Sequence, residues 1–262
     1  RTGFLNDPGT FWHLRLGRDI LRTGAVPRVD VLTSTRAGAA WVDQSWAFDA
    51  ALALVVNHFG WPGAILLTAI LLAAIYAGLA GCLRREGASA LVAVLVAILA
   101  AGIGTIHFLI RPHLVTFAAV LATQQLCRSF HLRGGRSIWL MPAIMIVWAN
   151  CHGGFLAGPL IVVTAAIAQP LCGTRDLEGL RRTRVLLTVF LLCLFAPLVN
   201  PYGAELYKHV FDVLHGSRVT DLIDEYQPSP FGKGQARVLE WVVLALVALP
   251  VLSSRRPRGD DL

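Results

Sequence analysis

The chain has 262 residues, 55% of them hydrophobic and only 15% charged, and its mean hydropathy is +0.61. An ordinary soluble globular domain is therefore a poor expectation, and a membrane protein is the better one, because the apolar residues also cluster in runs of about 20, the length that crosses a bilayer. The formal charge is +7 and the pI about 9.6, but the basic residues lie in short loops between apolar runs. Membrane orientation accounts for that pattern, so we exclude nucleic acid as a partner.

The ends of the chain and its cysteines set two further expectations. The sequence begins with Arg1, and no signal-peptide pattern precedes the first polar segment, so we expect a fragment of a longer membrane protein. The 5 cysteines are odd in number and widely spaced. This spacing predicts neither a disulfide framework nor a metal site, and it favours small core residues.

The stretch NDPGTFWHLRLGRDIL, residues 6–21, predicts a helix with Pro8 in its first turn and Asp7 as its N-cap. A polar stripe at helical spacing runs along it, formed by Arg15, Arg18, Asp19 and Arg22. Trp12, Leu16 and Ile20 lie on the opposite face, so we expect this helix to lie along a membrane surface with that face in the lipid. A second helix, over residues 46–59, is apolar almost all round and either lies in the interface or begins the helix bundle.

The apolar runs that follow predict an all-α fold, a polytopic transmembrane helix bundle. Residues 138–171 are too many for one span and contain the polar, glycine-rich break NCHGGF, so two short helices that meet at the break fit best. The other spans are predicted over 61–83, 89–110, 112–127, 184–199 and 237–252. This gives about seven spans.

The placement of arginine and lysine predicts the orientation of these spans. If Arg84 and Arg85 face the cytoplasm, alternation places the whole formal charge of +7 on that side. Residues 1–60 then form a first extracytoplasmic loop with two surface helices, and residues 61–253 form the bundle. Within the bundle, 200–236 is a second extracytoplasmic loop, and 254–262 is a cytoplasmic tail.

Alternation brings five polar or irregular pieces to the extracytoplasmic face: 6–13, 110–113, 150–154, 200–203 and 223–228. Irregular backbone at membrane depth is tolerated only where protein or a water-filled cavity covers it. The sequence therefore predicts a shared polar site at this face.

Each candidate residue in these segments can be interpreted in two ways, as a structural residue or as a functional one. Asp7 is a helix cap or a reacting acid. Arg111 anchors a helix end at the interface, or it binds a lipid phosphate together with His113. His152 is a packed polar residue or a ligand at the break between two half-helices. The NPYG segment, residues 200–203, is most simply a helix stop and turn.

These motifs, in this order, resemble bacterial multi-span glycosyltransferases of the GT-C superfamily, of the protein O-mannosyltransferase or lipid A aminoarabinose transferase type. The resembling segments are NDPGTFWHLRLGRDILRTGAVPRVDVLTSTRAGAAWVDQSW, RPH, WANCHGGFLAG, NPYG and IDEYQP. The resemblance implies inverting transfer of a sugar from a polyprenyl-phosphate donor to an unknown glycan, lipid or protein acceptor. It also implies a bacterial inner-membrane protein, in contact with membrane lipid, with its active face outside.

The resemblance assigns the roles of the site residues. The catalytic aspartate of the family carries over onto Asp7 as the general base, and Glu225 is the second candidate acid. We expect the substrates to contact seven further residues: His13, Arg111, His113, Asn150, His152, Tyr202 and Asp224. Many family members have a second acid beside the first, where this chain has Asn6. That difference weakens the case for a bridged metal, so no cofactor is predicted, although a divalent cation stays open.

Two other classes of function stay open. A multi-span transporter or lipid flippase would also use broken helices and polar residues within the membrane. It predicts charged residues in the middle of spans and paired repeats in two halves. Here the charges concentrate at the ends of spans and no repeat is visible. A structural membrane subunit without chemistry is the third alternative.

Overall fold

A computed structural model describes residues 3–172, 176–215 and 234–252 of the chain. These ranges contain nine α-helices: α1 Pro8–Thr23, α2 Trp46–Arg85, α3 Ala90–Gly104, α4 His113–Arg133, α5 Met141–Cys151, α6 Ala157–Cys172, α7 Leu177–Phe195, α8 Ala204–Leu214 and α9 Gly234–Leu252. Short 3-10 turns join several of them, and the described residues contain no β-strand. The prediction of an all-α fold is confirmed.

Three helical segments are long and apolar enough to cross a membrane, namely Trp46–Arg85, Ala90–His107 and Gly153–Leu171. Large apolar side chains such as Leu66, Leu91 and Ile98 point away from the protein on these segments. Exposure of this kind is what lipid contact requires, and it supports a membrane protein. The count of seven spans stays a prediction.

Helix α1 begins as the sequence predicts. Asp7 has extended backbone angles, and its Oδ2 accepts a hydrogen bond from the Thr10 N–H at 3.1 Å. Pro8 occupies the first helical position, where a missing N–H costs no hydrogen bond. At the other end Gly24 has φ 68°, and its N–H binds the Ile20 carbonyl oxygen, which ends the helix in a left-handed cap.

The apolar face of α1 contacts protein, whereas the sequence predicts that it contacts lipid. Leu16 and Ile20 are buried, and α1 packs along the first part of α2. Gly17 lies so close to that helix that a Cβ there would be 1.8 Å from the Asp49 carbonyl oxygen. The prediction that lipid covers the Leu16 and Ile20 face is wrong, because protein already covers it.

Helix α2 changes direction at Gly60, which has φ 65° and ψ −172° within the helix. Pro62 follows, at the start of the apolar stretch predicted as a span. Upstream of Gly60, the buried side chains Leu52 and Val56 join Leu14 and Ile110 in a small core. This core joins the beginning of the chain to the turn before α4.

The larger core lies between α4, α5, α6 and α7 and centres on Met145, Trp148, Phe155, Val162 and Val189. Helix α5 ends at Cys151, a short turn covers Gly153–Leu156, and α6 begins at Ala157. The predicted break of the 138–171 segment into two helices is confirmed. Because the break lies beside α4, its polar groups face the same end of the bundle as the turn at residues 110–113.

Candidate functional site

An ion pair joins the start of α1 to the turn before α4. The Arg111 Nε lies 3.4 Å from Asp7 Oδ2, and the two side chains are 23% and 17% exposed. The Thr10 hydroxyl donates to the Ile110 carbonyl oxygen at 3.2 Å, so backbone and side chains connect the same two segments. The carboxylate and the guanidinium are therefore fixed together at one end of the bundle.

Gly9 lies directly against this ion pair. A Cβ at this position would lie 2.9 Å from Asp7 Oδ2 and 3.4 Å from the Arg111 Nε and Nη2. Contacts this short displace neighbouring atoms. The glycine in NDPG therefore has a packing reason that the sequence alone does not reveal.

One helical turn beyond Thr10, His13 contacts a buried carboxylate. Its Nδ1 lies 2.7 Å from Asp49 Oδ1, and the Asp49 side chain is 0% exposed. The second oxygen, Asp49 Oδ2, is buried without a hydrogen-bond partner among the described residues. A carboxylate behind an imidazole fixes the ring orientation and decides which nitrogen carries the proton.

Asp43 is a second buried carboxyl near this histidine. Its Oδ1 accepts the Ser45 N–H at 3.2 Å, while Oδ2 is buried and, within the described ranges, has no partner. Burial, together with the nearby Asp49 carboxyl, raises the pKa of Asp43 to about 7. The Asp43 carboxyl therefore holds a proton through most of the acidic range.

His152 lies at the break between α5 and α6. The Gly154 N–H donates to its Nδ1 at 3.0 Å, so Nδ1 is an acceptor and the proton of the neutral ring is on Nε2. The Thr116 hydroxyl lies 2.8 Å from the same nitrogen and accepts the Trp148 Nε1–H at 2.8 Å. This chain of hydrogen bonds orients the imidazole.

The electrostatics around His152 connect it to the other candidate residues. Burial, together with the neighbouring side chains of His113, Arg111 and His13, lowers the pKa of His152 to about 4. His152 is therefore a neutral hydrogen-bonding group near the Arg111 guanidinium. His113 donates its Nε2–H to the His107 carbonyl oxygen at 2.5 Å, which holds it at the start of α4.

Asn150 and Tyr202 connect the surrounding segments. Asn150 Oδ1 accepts the Trp46 Nε1–H at 2.7 Å, and its amide donates to the carbonyl oxygens of Ile146 and Val199. The Tyr202 hydroxyl donates to the Pro27 carbonyl oxygen at 2.6 Å and accepts the Asp43 N–H at 2.9 Å. Both residues thus hold the loop before α2 against the bundle.

A groove of about 530 Å³ opens beside the ion pair. Asn6, the residue before Asp7, lies at its rim, and most of the remaining lining is apolar, from Phe4, Ile65, Ile106, Phe108 and Leu109. The groove therefore offers a largely apolar surface with the polar side chain of Asn6 in its lining. Its shape and lining suit an amphipathic ligand.

The structure brings together many of the residues proposed from sequence. Asp7, Arg111, His13, His113 and His152 share one end of the bundle, with Asn150 and Tyr202 in the supporting contacts. Asp224 and Glu225 lie outside the described residues. Within the described ranges, no three His, Cys, Asp or Glu side chains group closely enough to hold a metal ion.

Sequence reasoning missed two buried residues, Asp43 and Asp49. Asp49 lies in the stretch WAFDAALALVV, where a single charge among apolar residues is costly and is therefore a signal of function. Asp43 lies in WVDQSW, which contributes to the resemblance but was not assigned a role. Comparison of the chain with protein-family models, with curated proteins and with solved structures finds no match.

Proposed function

We propose that this chain is part of a glycosyltransferase of the GT-C type, which moves a sugar from a polyprenyl-phosphate donor to an acceptor at the extracytoplasmic face of a bacterial inner membrane. The acceptor is a glycan, a lipid or a protein. The observation that carries the proposal is the ion pair between Asp7 and Arg111, because it holds a carboxylate beside a guanidinium, the cation best matched to a phosphate. Two residues close to this pair in sequence, Asn6 and Leu109, line a mostly apolar groove.

In the proposed reaction, an acceptor hydroxyl or amine attacks the anomeric carbon of the donor sugar. Its proton goes to Asp7, the general base, as the new bond to the anomeric carbon forms. The bond from that carbon to the phosphate oxygen breaks, and polyprenyl phosphate leaves with the electron pair. Attack opposite the leaving group inverts the anomeric carbon, so no covalent enzyme intermediate is needed.

Arg111 has the chemistry that the leaving phosphate requires. A guanidinium donates parallel hydrogen bonds to two phosphate oxygens, and it stays charged at every physiological pH. Its contact with Asp7 holds it in place before the donor arrives. Stabilising the negative charge that develops on the phosphate is the largest contribution expected of such a residue.

Two neighbouring features support an acceptor at the same place. His152 is neutral and oriented through Nδ1, which suits hydrogen bonding to a sugar hydroxyl rather than to a phosphate. His13 is only partly exposed, with Asp49 behind it, so its ring has a fixed direction. Fixed groups of this kind reduce the entropy that positioning a substrate costs.

The groove supports the choice of a lipid-linked donor. Its lining is mostly apolar, and it lies against Ile65 of α2 and the turn that precedes α4. A polyprenyl chain that lies there brings its phosphate to the level of Arg111. A water-soluble nucleotide sugar would make little use of that surface.

The test is donor consumption by the purified protein in lipid vesicles, supplied with a chemically defined polyprenyl-phosphate sugar and a mixture of candidate acceptors. Release of free polyprenyl phosphate, measured by mass spectrometry, is the expected result. Asp7→Asn is the inactive comparison, and Asp19→Asn, the same substitution on the same helix, is the matched control. Movement of an intact donor between leaflets without its consumption would favour a flippase instead.

A further inference from the structure

We propose that a second cavity, at the end of α4 opposite Arg111, binds the phosphate headgroup of an anionic membrane phospholipid. The cavity has a volume of about 400 Å³. It lies between the end of α4, the turn at residues 134–136 and the first turns of α7. This site is independent of the proposed transfer reaction and shares no residue with it.

The lining of the cavity carries an excess of positive charge. Three arginines contribute to it, Arg136, Arg181 and Arg182, against the single carboxylate of Glu178. Glu178 contacts Arg181 at 3.4 Å and Arg182 at 3.2 Å, so one carboxylate is shared between two guanidinium groups. A net positive charge remains, and an anion is the ligand that balances it.

The individual arginines differ in their freedom to bind a ligand. Arg182 is held, because its Nη1 also donates to the His131 carbonyl oxygen at 2.6 Å. Arg181 is 77% exposed, so its guanidinium can turn toward a phosphate at low cost. Arg136 follows Gly134 and Gly135, whose φ values are 68° and 104°. Residues with a Cβ rarely adopt these backbone angles, so glycine favours the turn.

The apolar part of the lining indicates a lipid rather than a free phosphate ion. Phe130 and Val185 contribute to the cavity wall, and Trp139 lies beside the arginines with 46% of its surface exposed. Tryptophan is enriched at the boundary between headgroups and acyl chains. A headgroup bound by the arginines would place its glycerol and first methylene groups against these side chains.

The position of the cavity fits the thickness of a bilayer. Helix α4 has 21 residues, a length of about 30 Å, and begins next to Arg111. The hydrocarbon core of a membrane is also about 30 Å thick. If the groove beside Arg111 lies at one interface, the cavity lies at the other, where headgroups of the opposite leaflet are in reach. Basic pockets between helices on the cytoplasmic side bind such headgroups in other membrane proteins.

The experiment measures the thermal stability of the whole chain in neutral detergent as lipid is added. One arm receives dioleoylphosphatidylglycerol, a second receives dioleoylphosphatidylcholine, and a third receives glycerol 1-phosphate or inorganic phosphate. The test variant is Arg136→Gln with Arg181→Gln, both exposed residues whose loss leaves the packed core intact. The matched control is Arg15→Gln with Arg22→Gln, two exposed arginines that also share one carboxylate, Asp19.

We expect phosphatidylglycerol to raise the Tm of the wild-type protein and of the control, and phosphatidylcholine to have little effect. In the test variant, the phosphatidylglycerol concentration that gives half the effect should rise by roughly fivefold for each arginine removed, the effect of about 1 kcal/mol per cation near an anionic surface. An equal response of test and control variants would overturn the proposal. Equal protection by glycerol 1-phosphate or inorganic phosphate would overturn the lipid assignment, since the apolar wall would then contribute nothing.

Discussion

The two ends of α4 hold charged residues in opposite ways. At the Arg111 end the charges are largely covered: Asp49 is 0% exposed, and Asp7 and Arg111 pair across two segments that are distant in sequence. At the Gly134 end Arg181 and Glu178 are 77% and 46% exposed, and Glu178 pairs with arginines on its own helix. Arg182 is 23% exposed, as much as Arg111. Both ends carry arginine and carboxylate, so composition alone does not distinguish them.

This comparison of the two ends indicates where a buried charge serves a function. Burying a charge costs several kcal/mol unless a partner compensates, and such groups are kept where their chemistry is used. An exposed ion pair within one helix contributes about 0–1 kcal/mol and can be broken at little cost. This difference agrees with the two proposals, which put the transfer reaction at the Arg111 end and reversible lipid binding at the Gly134 end.

The largest effect is expected from Asp7→Asn. Asparagine caps a helix nearly as well as aspartate, so the change in capping should cost only a few tenths of a kcal/mol. Loss of the ion pair with Arg111 adds a further cost of about 1 kcal/mol, and the protein should still fold. The base is lost, and sugar transfer should fall at least about 100-fold. Initial rates with a defined donor give the measurement, and Asp19→Asn is the control that should retain activity. Near-normal turnover of Asp7→Asn would leave Asp7 as a helix cap and move the catalytic assignment to Glu225.

Arg111→Ala should have the next largest effect, on use of the donor. Loss of a charged hydrogen bond of about 1.5–3 kcal/mol corresponds to a rise of roughly 10- to 100-fold in the apparent KM for the lipid donor. Arg111→Lys should restore only part of the donor affinity, because lysine cannot form the two parallel hydrogen bonds of a guanidinium. Arg18→Ala, an exposed arginine that contacts Asn57, is the control. Unchanged donor affinity in Arg111→Ala would make Arg111 an interface anchor.

Gly17→Ala tests how tightly the covered end is packed. Its new methyl group would collide with the Asp49 carbonyl oxygen, so the free energy of unfolding should fall by about 1–3 kcal/mol. Gly102→Ala in α3 is the control, since a Cβ there meets nothing within 4 Å. That variant should gain up to about 1 kcal/mol, because alanine favours a helix more than glycine does. Equal stability of the two variants would contradict the close packing of α1 on α2.

The pH dependence of stability tests the buried Asp43 carboxyl. The pKa of Asp43 is about 7 in the folded protein against an ordinary value of 3.8, so the folded chain holds a proton that the unfolded chain releases between these values. The free energy of unfolding should therefore fall as pH rises through this window. Asp43→Asn should flatten the curve, while Asp49 and His13 remain in both proteins. Parallel curves from urea titrations at several pH values would contradict a protonated Asp43.

Local signals made part of this site predictable from sequence. An aspartate before a proline fixed the expected start of α1, and the glycine pair in NCHGGF indicated the end of α5, because both depend on backbone preferences of a few neighbouring residues. The pairing of Asp7 with Arg111 was harder to foresee. It depends on a turn about 100 residues later, and the sequence indicates only that the two residues belong to the same end of the bundle.

The remaining features could not be predicted because they depend on packing between distant segments. The burial of Leu16 and Ile20 follows from Gly17, which lets α2 approach α1, and a single glycine in a helix has no unique meaning. The contact between His13 and Asp49 requires that same approach. An amphipathic helix on a membrane and one on a neighbouring helix have the same hydrophobic pattern.

The central claim, a proposal, is that the Asp7 end of the bundle lies outside the membrane and the basic cavity lies on the cytoplasmic side. Single-cysteine labelling tests this most directly, with cysteines introduced at Ser34 or at Ser137 in an otherwise cysteine-free variant. Ser34 lies in the loop before α2, on the Asp7 side, and Ser137 follows Arg136 at the basic cavity. A membrane-impermeant maleimide should label the Ser34 position in intact cells and the Ser137 position only after lysis. Labelling of Ser137 but not Ser34 in intact cells would contradict the account.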